Sequence, residues 1–314
     1  MKLFGDRAAV AGVDLTVGVG EVYGLLGPNG AGKTTFLRML FGLIRPDAGV
    51  LRVFGRTWDE AGPAALDGVA GFVESPRFYP YLSGRRNLQL LAGLDGVPRA
   101  EAEPLVDEAL ARVDLAGRDR DRVGGYSFGM RQRLGVAAAL VRRPRLLVLD
   151  EPANGLDPAG IRDMRALVKE LAATGLTVLL SSHNMDEVEE ICDNVTVMRT
   201  GEVVYHGSID DLRASAPGPA YRLAVTDPGS AGRALDVART VPGVVVAPDL
   251  LEAQPGGGAV LEVLASREAM SAFTIALGRA GVAIGSLHLE VAALESLFFR
   301  LTEITRADVP EAVR

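Results

Sequence analysis

Apolar residues along the chain fall into runs of different period. Val22-Tyr23-Gly24-Leu25-Leu26 is an apolar, β-prone run, and Leu146-Leu147-Val148-Leu149 and Leu176-Thr177-Val178-Leu179-Leu180 are short and continuous, the pattern of buried strands. Val13-Asp14-Leu15-Thr16-Val17 alternates, which predicts a strand before the turn at Gly18 to Gly20. Another strand is predicted over Val50 to Phe54, after the turn Arg45-Pro46-Asp47-Ala48-Gly49, and all these strands are expected in one sheet. Between Leu149 and Leu176 the stretch Ile161 to Thr174 is helical, so the flanking runs are expected to be parallel neighbours. From Pro76 to Arg143 the spacing is helical throughout. Ser83 is predicted to cap a helix carrying Leu88, Leu91 and Leu94, and Pro104 to open one carrying Val106, Ala109, Leu110 and Val113. Ser127 is predicted to cap a third, with Met130, Leu134, Ala137 and Val141 on one face. The reading is an α/β core with a helical insertion over about 76–143.

Past Leu212 the pattern restarts. Ala214-Ser215-Ala216-Pro217-Gly218-Pro219-Ala220 has linker composition. Beyond it the chain predicts strand Tyr221 to Val225, helix Ser230 to Arg239, strands Val244 to Ala247 and Val260 to Leu264, helix Arg267 to Arg279 and strand Val282 to Leu289. That βαββαβ order suggests a small ferredoxin-like α+β domain, followed by a helix with Leu294, Leu297, Phe298 and Leu301 on one face. Gly256 to Gly258 is expected to be a hairpin loop and the stretch after Arg306 to fray. The expected organisation is a first domain over 1–213, a linker over 214–220, an accessory domain over 221–306 and a tail over 307–314.

Composition narrows the function. A length of 314 residues suggests about two domains, and 48% hydrophobic with 23% charged residues suits a globular chain. The net charge of -7, without a block of lysine or arginine, argues against nucleic acid as a partner. Cys192 is the only cysteine, so no intrachain disulfide is possible and a cytoplasmic location is expected, with Cys192 a small core residue. No basic segment followed by an apolar stretch opens the chain, and no run approaches the roughly 18 apolar residues of a spanning helix. Membrane association is therefore expected only through a partner.

The chemistry starts at Gly27-Pro28-Asn29-Gly30-Ala31-Gly32-Lys33-Thr34-Thr35. This G-x-x-x-x-G-K-[ST] loop follows the apolar run at 22–26 and opens a helical pattern with Phe36, Leu37, Leu40 and Phe41 on one face. Glycines let successive backbone N–H groups turn onto an anion, and the helix N-terminus adds its positive end. Lys33 supplies a point charge and Thr34 a hydroxyl for Mg2+. A glycine-rich turn matching by chance is the bland alternative. Lys2, Lys33 and Lys169 are the only lysines among 33 basic residues, so a rare lysine falls where a compact ammonium suits the loop. Asp150 and Glu151 follow the run at 146–149. Asp150 can hold the metal beside Thr34, and Glu151 can aim at a water in line with the γ-phosphate. An isolated Asp-Glu pair before Pro152 would otherwise be a cap. Ser127 is an ordinary N-cap, yet with Gly129 at a helix start it makes a second anion site, which predicts two chains closing over one nucleotide.

The loop, Tyr126-Ser127-Phe128-Gly129-Met130-Arg131-Gln132-Arg133, Leu146-Leu147-Val148-Leu149-Asp150-Glu151-Pro152, Asn154-Gly155-Leu156-Asp157-Pro158 and Ser181-Ser182-His183-Asn184-Met185 together resemble the ATP-binding subunit of ABC transporters. The resemblance covers about Phe4 to Leu212 and is nearest to ATPase subunits of bacterial drug and antibiotic exporters of the daunorubicin- and bacitracin-resistance type. Leu294 to Thr302 looks like their C-terminal tail. The resemblance implies a P-loop NTPase cassette that binds Mg-ATP, pairs with a second copy of itself and drives a separate integral-membrane permease. The chain would then lie peripherally on the inner face of the cell membrane. It also implies that Ser127 and Gly129 contact the γ-phosphate held by the other copy. Asn154 to Asp157 would communicate between sites, His183 would hold the γ-phosphate and the attacking water, and Phe4 would stack on adenine. On residue type alone, His183 would be a helix-capping histidine and Phe4 core.

Two departures stand out. The family has a full strand before the adenine-stacking aromatic, whereas three residues precede Phe4 here, so the expectation is that this edge is missing or the start site misplaced. The family's γ-phosphate-sensing glutamine is Glu74, expected to act as a third, metal-facing carboxylate as in the bacitracin-type branch. A soluble ABC ATPase uncoupled from transport would carry a second cassette, long heptads or basic arms, and none occurs. A non-catalytic nucleotide-gated module is disfavoured by the presence of both Asp150 and Glu151.

Overall fold

The computed structural model describes residues 1–216, 219–227, 229–246, 252–253, 259–291 and 293–302. Pro217, Gly218, Ala247, the glycine run 256–258 and the tail 307–314 named above lie outside them. The chain divides into two compact units, Met1–Ile209 and Asp210–Arg314.

The first unit opens with β1 (Lys2–Phe4), β2 (Arg7–Val10), β3 (Val22–Leu26) and α1 (Lys33–Leu40). It continues through β4 (Arg52–Val53), β5 (Arg56–Thr57), α2 (Trp58–Ala61) and β6 (Val69–Phe72). The helical stretch holds α3 (Gly84–Leu94), α4 (Arg99–Arg112) and α5 (Phe128–Leu140). Then come β7 (Leu146–Asp150), α6 (Pro158–Ala173), β8 (Thr177–Ser182), α7 (Met185–Ile191), β9 (Asn194–Arg199) and β10 (Glu202–Ser208); α8 (Ile209–Ser215) starts at the last residue of this unit and runs into the second.

Six strands form one sheet in the order β10-β9-β3-β8-β7-β6, parallel except for β10. Every residue of β3, β7 and β8 is buried, which is why these strands read as unbroken apolar runs. Parallel pairing sends their carboxyl ends to one edge. Leu26 lies opposite Ser182, and Asp150 opposite Ser181. One approach on this sheet is especially close: a Cβ on Gly71 of β6 would lie 1.8 Å from the Val148 carbonyl oxygen of β7, so only glycine lets the two strands pair there.

Several expectations are corrected. Residues 13–17 form no strand, although their side chains alternate as anticipated: Val13, Leu15 and Val17 pack on the core cluster of Phe36, Leu37 and Leu40 while Asp14 and Thr16 are exposed. A period of two reports one buried face and does not require a pairing partner. The strand expected over 50–54 shrinks to β4, which pairs only with β5, and β1 pairs with β2, so these are separate two-stranded sheets. Pro104 lies inside α4, which starts at Arg99 after Pro98. In α3, Leu88 is fully buried but Leu94 is 74% exposed; the face packed inward carries Asn87, Leu88 and Ala92. Ser83 and Ser127 cap α3 and α5, accepting from the N–H groups of Arg86 and Met130 at 3.2 Å each.

The second unit contains β11 (Ala220–Val225), α9 (Ser230–Thr240), β12 (Val244–Val246), β13 (Glu252–Ala253), β14 (Ala259–Ala265), α10 (Arg267–Arg279), β15 (Ile284–Val291) and α11 (Ala293–Thr302). Its sheet runs β12-β14-β11-β15 with antiparallel neighbours, and β13 also pairs with β14. Leu223, Val225, Leu261 and Val263 form a core with Ala234 of α9 and with Phe273 and Leu277 of α10. Ala214 and Ser215 end α8 and Ala220 starts β11, so both ends of the expected linker belong to regular elements. The unit boundary falls at Ile209/Asp210, earlier than the expected 213. Among the described residues no helix is long and apolar enough to cross a membrane.

Candidate nucleotide site at the strand ends

The loop after β3 leads straight into α1, whose first residue is Lys33. Gly32 has φ 105°, and a Cβ there would stand 2.3 Å from the Ala9 carbonyl oxygen, so glycine is required by the turn and by the backbone beside it. Lys33 is only 5% exposed. Its ammonium donates to the Gly27 carbonyl at 2.6 Å and the Pro28 carbonyl at 3.3 Å, and it pairs with Glu151 Oε1 at 3.1 Å.

Asp150, the last residue of β7, gathers donors from three elements. Its Oδ1 accepts the hydroxyls of Ser181 at 2.5 Å and Thr34 at 3.4 Å, and its Oδ2 accepts the Glu74 N–H at 3.3 Å. A buried carboxylate beside a threonine hydroxyl is a hard oxygen donor set that fits Mg2+ with phosphate oxygens completing the shell. No group of three or more His, Cys, Asp or Glu suited to a metal exists among the described residues.

Glu151 takes φ 50°, a left-handed conformation uncommon for glutamate, and its N–H donates to the Ser181 hydroxyl at 2.9 Å. That turn aims its carboxylate between Lys33 and His183, whose Nδ1 lies 2.6 Å from Glu151 Oε2. Burial pushes the Glu151 proton affinity up, but the His183 hydrogen bond and the Lys33 charge together outweigh it and leave its pKa lowered. The same hydrogen bond raises the pKa of His183 against the opposing effect of burial. The two shifts describe one coupled pair.

Glu74 departs from the sequence-based expectation. Its carboxylate pairs with the Arg38 guanidinium of α1, and its backbone N–H, at φ 66°, is the group that reaches Asp150. A cation nearby on α1 captures the exposed side chain. Ser127 is exposed and, like Gly129, makes no hydrogen bond to the loop 27–35 among the described residues. A Cβ on Gly129 would lie 3.5 Å from Leu156 Cδ2, so the start of α5 borders the loop 154–157. Asp157 caps α6, accepting the Gly160 N–H at 2.9 Å. Phe4 lies on β1, 54% exposed, with the Lys2 ammonium 5.7 Å from its ring centroid. Cys192 is buried against α7 and β3, and burial pushes its thiol pKa well up.

Sequence reasoning assigned no role to Ser181 and Ser182, which end β8. Ser181 serves Asp150 and Glu151, while the Ser182 carbonyl accepts the Gly27 N–H at 3.2 Å. The available signal was two hydroxyls ending an otherwise apolar buried strand, where each must find a partner.

The ABC transporter family pattern matches residues 10–154. An uncharacterized ABC transporter ATP-binding protein, YdbJ of Bacillus subtilis (strain 168), is 43% identical over 203 residues, 64% of this chain and 65% of that protein's own length. The daunorubicin resistance ATP-binding protein DrrA3 of Streptomyces coeruleorubidus is 36% identical over 303 residues, 96% of this chain and 93% of that one. Among solved structures, cbiO1 from Clostridium perfringens, part of the ABC transporter complex cbiONQ, superposes with a TM-score of 0.61 at 29% identity, covering 66% of this chain and 84% of that one. Family pattern, near full-length similarity and cassette fold agree, and the chain belongs to the ATP-binding subunits of ABC transporters, a family whose members hydrolyse ATP.

Proposed function

We propose that the chain is the ATP-hydrolysing subunit of an exporter of a drug, antibiotic or other small amphiphile, acting on a separate membrane permease. The observation that carries the chemistry is the convergence of Lys33, Thr34, Asp150, Glu151 and His183 at one edge of the parallel sheet. The exporter type is supported by similarity to DrrA3 along almost the whole chain.

Gly27 to Thr35 cradle the triphosphate, with Lys33 on its outer phosphates. Thr34 and Asp150 would hold Mg2+, which spreads the charge of the β- and γ-phosphates when bound. Glu151 takes the proton of the attacking water as its oxygen adds to the γ-phosphorus and ADP leaves. His183 orients that water and the γ-phosphate. Lys33 now lowers the proton affinity of Glu151. When the ammonium turns to the phosphates and their negative charge enters, that affinity rises toward what a base needs. Phe4 stacks on adenine, and Ser127 and Gly129 close over the nucleotide of a second copy, which agrees with their standing apart from the loop of their own chain. The sheet order β12-β14-β11-β15, with α9 and α10 packed on one face, supports a ferredoxin-like accessory domain. Held by its permease, the chain works on the cytoplasmic face of the membrane. Affinity capture of the tagged chain from a detergent extract should co-purify that permease; recovery with ribosomes instead would favour the soluble alternative.

Glu74 gives a finer test. Reaching the metal requires its carboxylate to leave Arg38 and join a site already holding Asp150, Glu151 and a triphosphate, a gathering of like charge that only the cation offsets. Glu74→Gln should keep hydrolysis within about tenfold of wild type, a change of at most about 1.4 kcal/mol in the barrier. It should also lower the Mg2+ concentration for half-maximal rate. A Mg2+ titration of both proteins decides: identical curves leave Glu74 as the partner of Arg38 only, and a collapse as deep as that of Glu151→Gln would make Glu74 the base.

A further inference from the structure

Glu187 is a second deeply buried carboxylate at this end of the sheet, 5% exposed against 3% for Asp150. Asp150 is surrounded by donors. Glu187 has one: its Oε2 accepts the Ser182 hydroxyl at 2.5 Å, and its Oε1 has no partner. Burial pushes the Glu187 pKa up, against the smaller opposing effects of the Ser182 hydrogen bond and the Arg165 charge, while Arg165 itself pairs through Nη1 with Glu190 at 2.5 Å and leaves its own Nε unpartnered. Burying a carboxyl group this way is costly, and an apolar side chain would pack α7 onto the sheet without that cost. The group therefore calls for a purpose other than packing.

The hydroxyl it binds supplies one. Ser182 has a single hydroxyl proton, and donating it to Glu187 leaves the oxygen's lone pairs for the Asn184 N–H at 3.0 Å. His183 lies between these two residues. Its turn is thus tied on both sides to one hydroxyl, and the hydroxyl is oriented by Glu187. Glu187 is in turn fixed by its own N–H, donated to Asn184 Oδ1 at 3.2 Å. The Ser182 carbonyl meanwhile holds the Gly27 N–H, so the same residue joins the histidine turn to the phosphate loop.

We propose that Glu187 is a positioning residue for His183: through the Ser182 hydroxyl it holds the turn 182–184 so that the imidazole meets Glu151. The proposal rests on the catalytic reading of His183 given above. It gives the buried carboxyl a role in the rate of hydrolysis and none in nucleotide affinity.

Steady-state ATPase measurements on the full chain test it, using Glu187→Ala, Glu187→Gln and Ser182→Ala, each alone and combined with His183→Ala. Glu187→Ala should lower kcat about tenfold to a hundredfold, the scale of a misplaced catalytic contact, with KM for ATP within about twofold of wild type. Glu187→Gln keeps a carbonyl oxygen that can accept the Ser182 hydroxyl, and it should recover most of the rate. In the His183→Ala background, Glu187→Ala and Ser182→Ala should each cost less than about twofold more, because the residue they act through is gone. Losses that multiply in both backgrounds, or a raised KM at unchanged kcat, would overturn the proposal. If Glu187→Ala fails to fold, Ser182→Ala, which removes one hydroxyl, carries the same comparison. A full rate in His183→Ala alone would overturn the catalytic reading of His183 and this proposal with it, an outcome distinct from multiplying losses, which sink the Glu187 role only.

Discussion

Glu151→Gln should lose roughly 10²- to 10⁴-fold in ATP turnover, the range for removal of a positioned base. The substitution keeps shape and hydrogen bonding: a glutamine amide can still meet His183 Nδ1 and the Lys33 ammonium, now 2.6 and 3.1 Å from the carboxylate oxygens. What it cannot do is take a proton from water at neutral pH. Because the ammonium no longer faces a carboxylate, it is freer to meet the phosphates, and affinity for Mg-ATP should be retained or improved. Single-turnover phosphate release measured beside equilibrium ATP binding separates the two effects. Turnover near wild type would place the base elsewhere.

Lys33→Ala should raise the dissociation constant for Mg-ATP by about 10²-fold, or close to 3 kcal/mol, in line with losing charge-assisted hydrogen bonds to phosphate. Stability should change as well, because the buried ammonium satisfies the Gly27 and Pro28 carbonyls and faces Glu151. Removing it leaves those acceptors to water and the Glu151 carboxylate with His183 as its remaining partner. A lower melting temperature with an unchanged far-UV circular dichroism spectrum is the expected accompaniment. Titration calorimetry showing wild-type affinity would contradict the assignment of this loop as the phosphate site.

Much of this site was legible from spacing. The positive φ of Gly32 is a local demand that the loop's glycine spacing discloses, although the close approaches of Ala9 to Gly32 and of Met198 to Gly27 are not disclosed by it, and Asp150 follows a run whose full burial makes its end a strand end. Continuous apolar runs at 146–149 and 176–180 likewise disclosed a parallel pair, because both faces of those strands are covered. The amphipathic pattern failed where burial and pairing part company. Residues 13–17 bury one face against α1 without entering a ladder, and Leu91 and Leu94 continue the spacing of Leu88 onto an exposed surface. Side-chain direction was beyond reach of pattern altogether. Nothing in Gly71-Phe72-Val73-Glu74-Ser75 says that the carboxylate turns to Arg38 and the amide to Asp150, since that choice depends on a helix more than thirty residues earlier in the chain. Ser182 and Glu187 read as an ordinary strand end and helix residue until their mutual burial is seen.

The account makes the working site a joint property of two copies, each supplying a loop at Lys33 to one nucleotide and the α5 start at Ser127 to the other. Size-exclusion chromatography of Glu151→Gln with and without Mg-ATP tests this most directly, because blocked hydrolysis keeps the closed pair from reopening. The prediction is a shift from monomer to dimer on adding Mg-ATP, larger than for wild type and absent when Lys33→Ala is added. A monomer that saturates with ATP yet never pairs would contradict it.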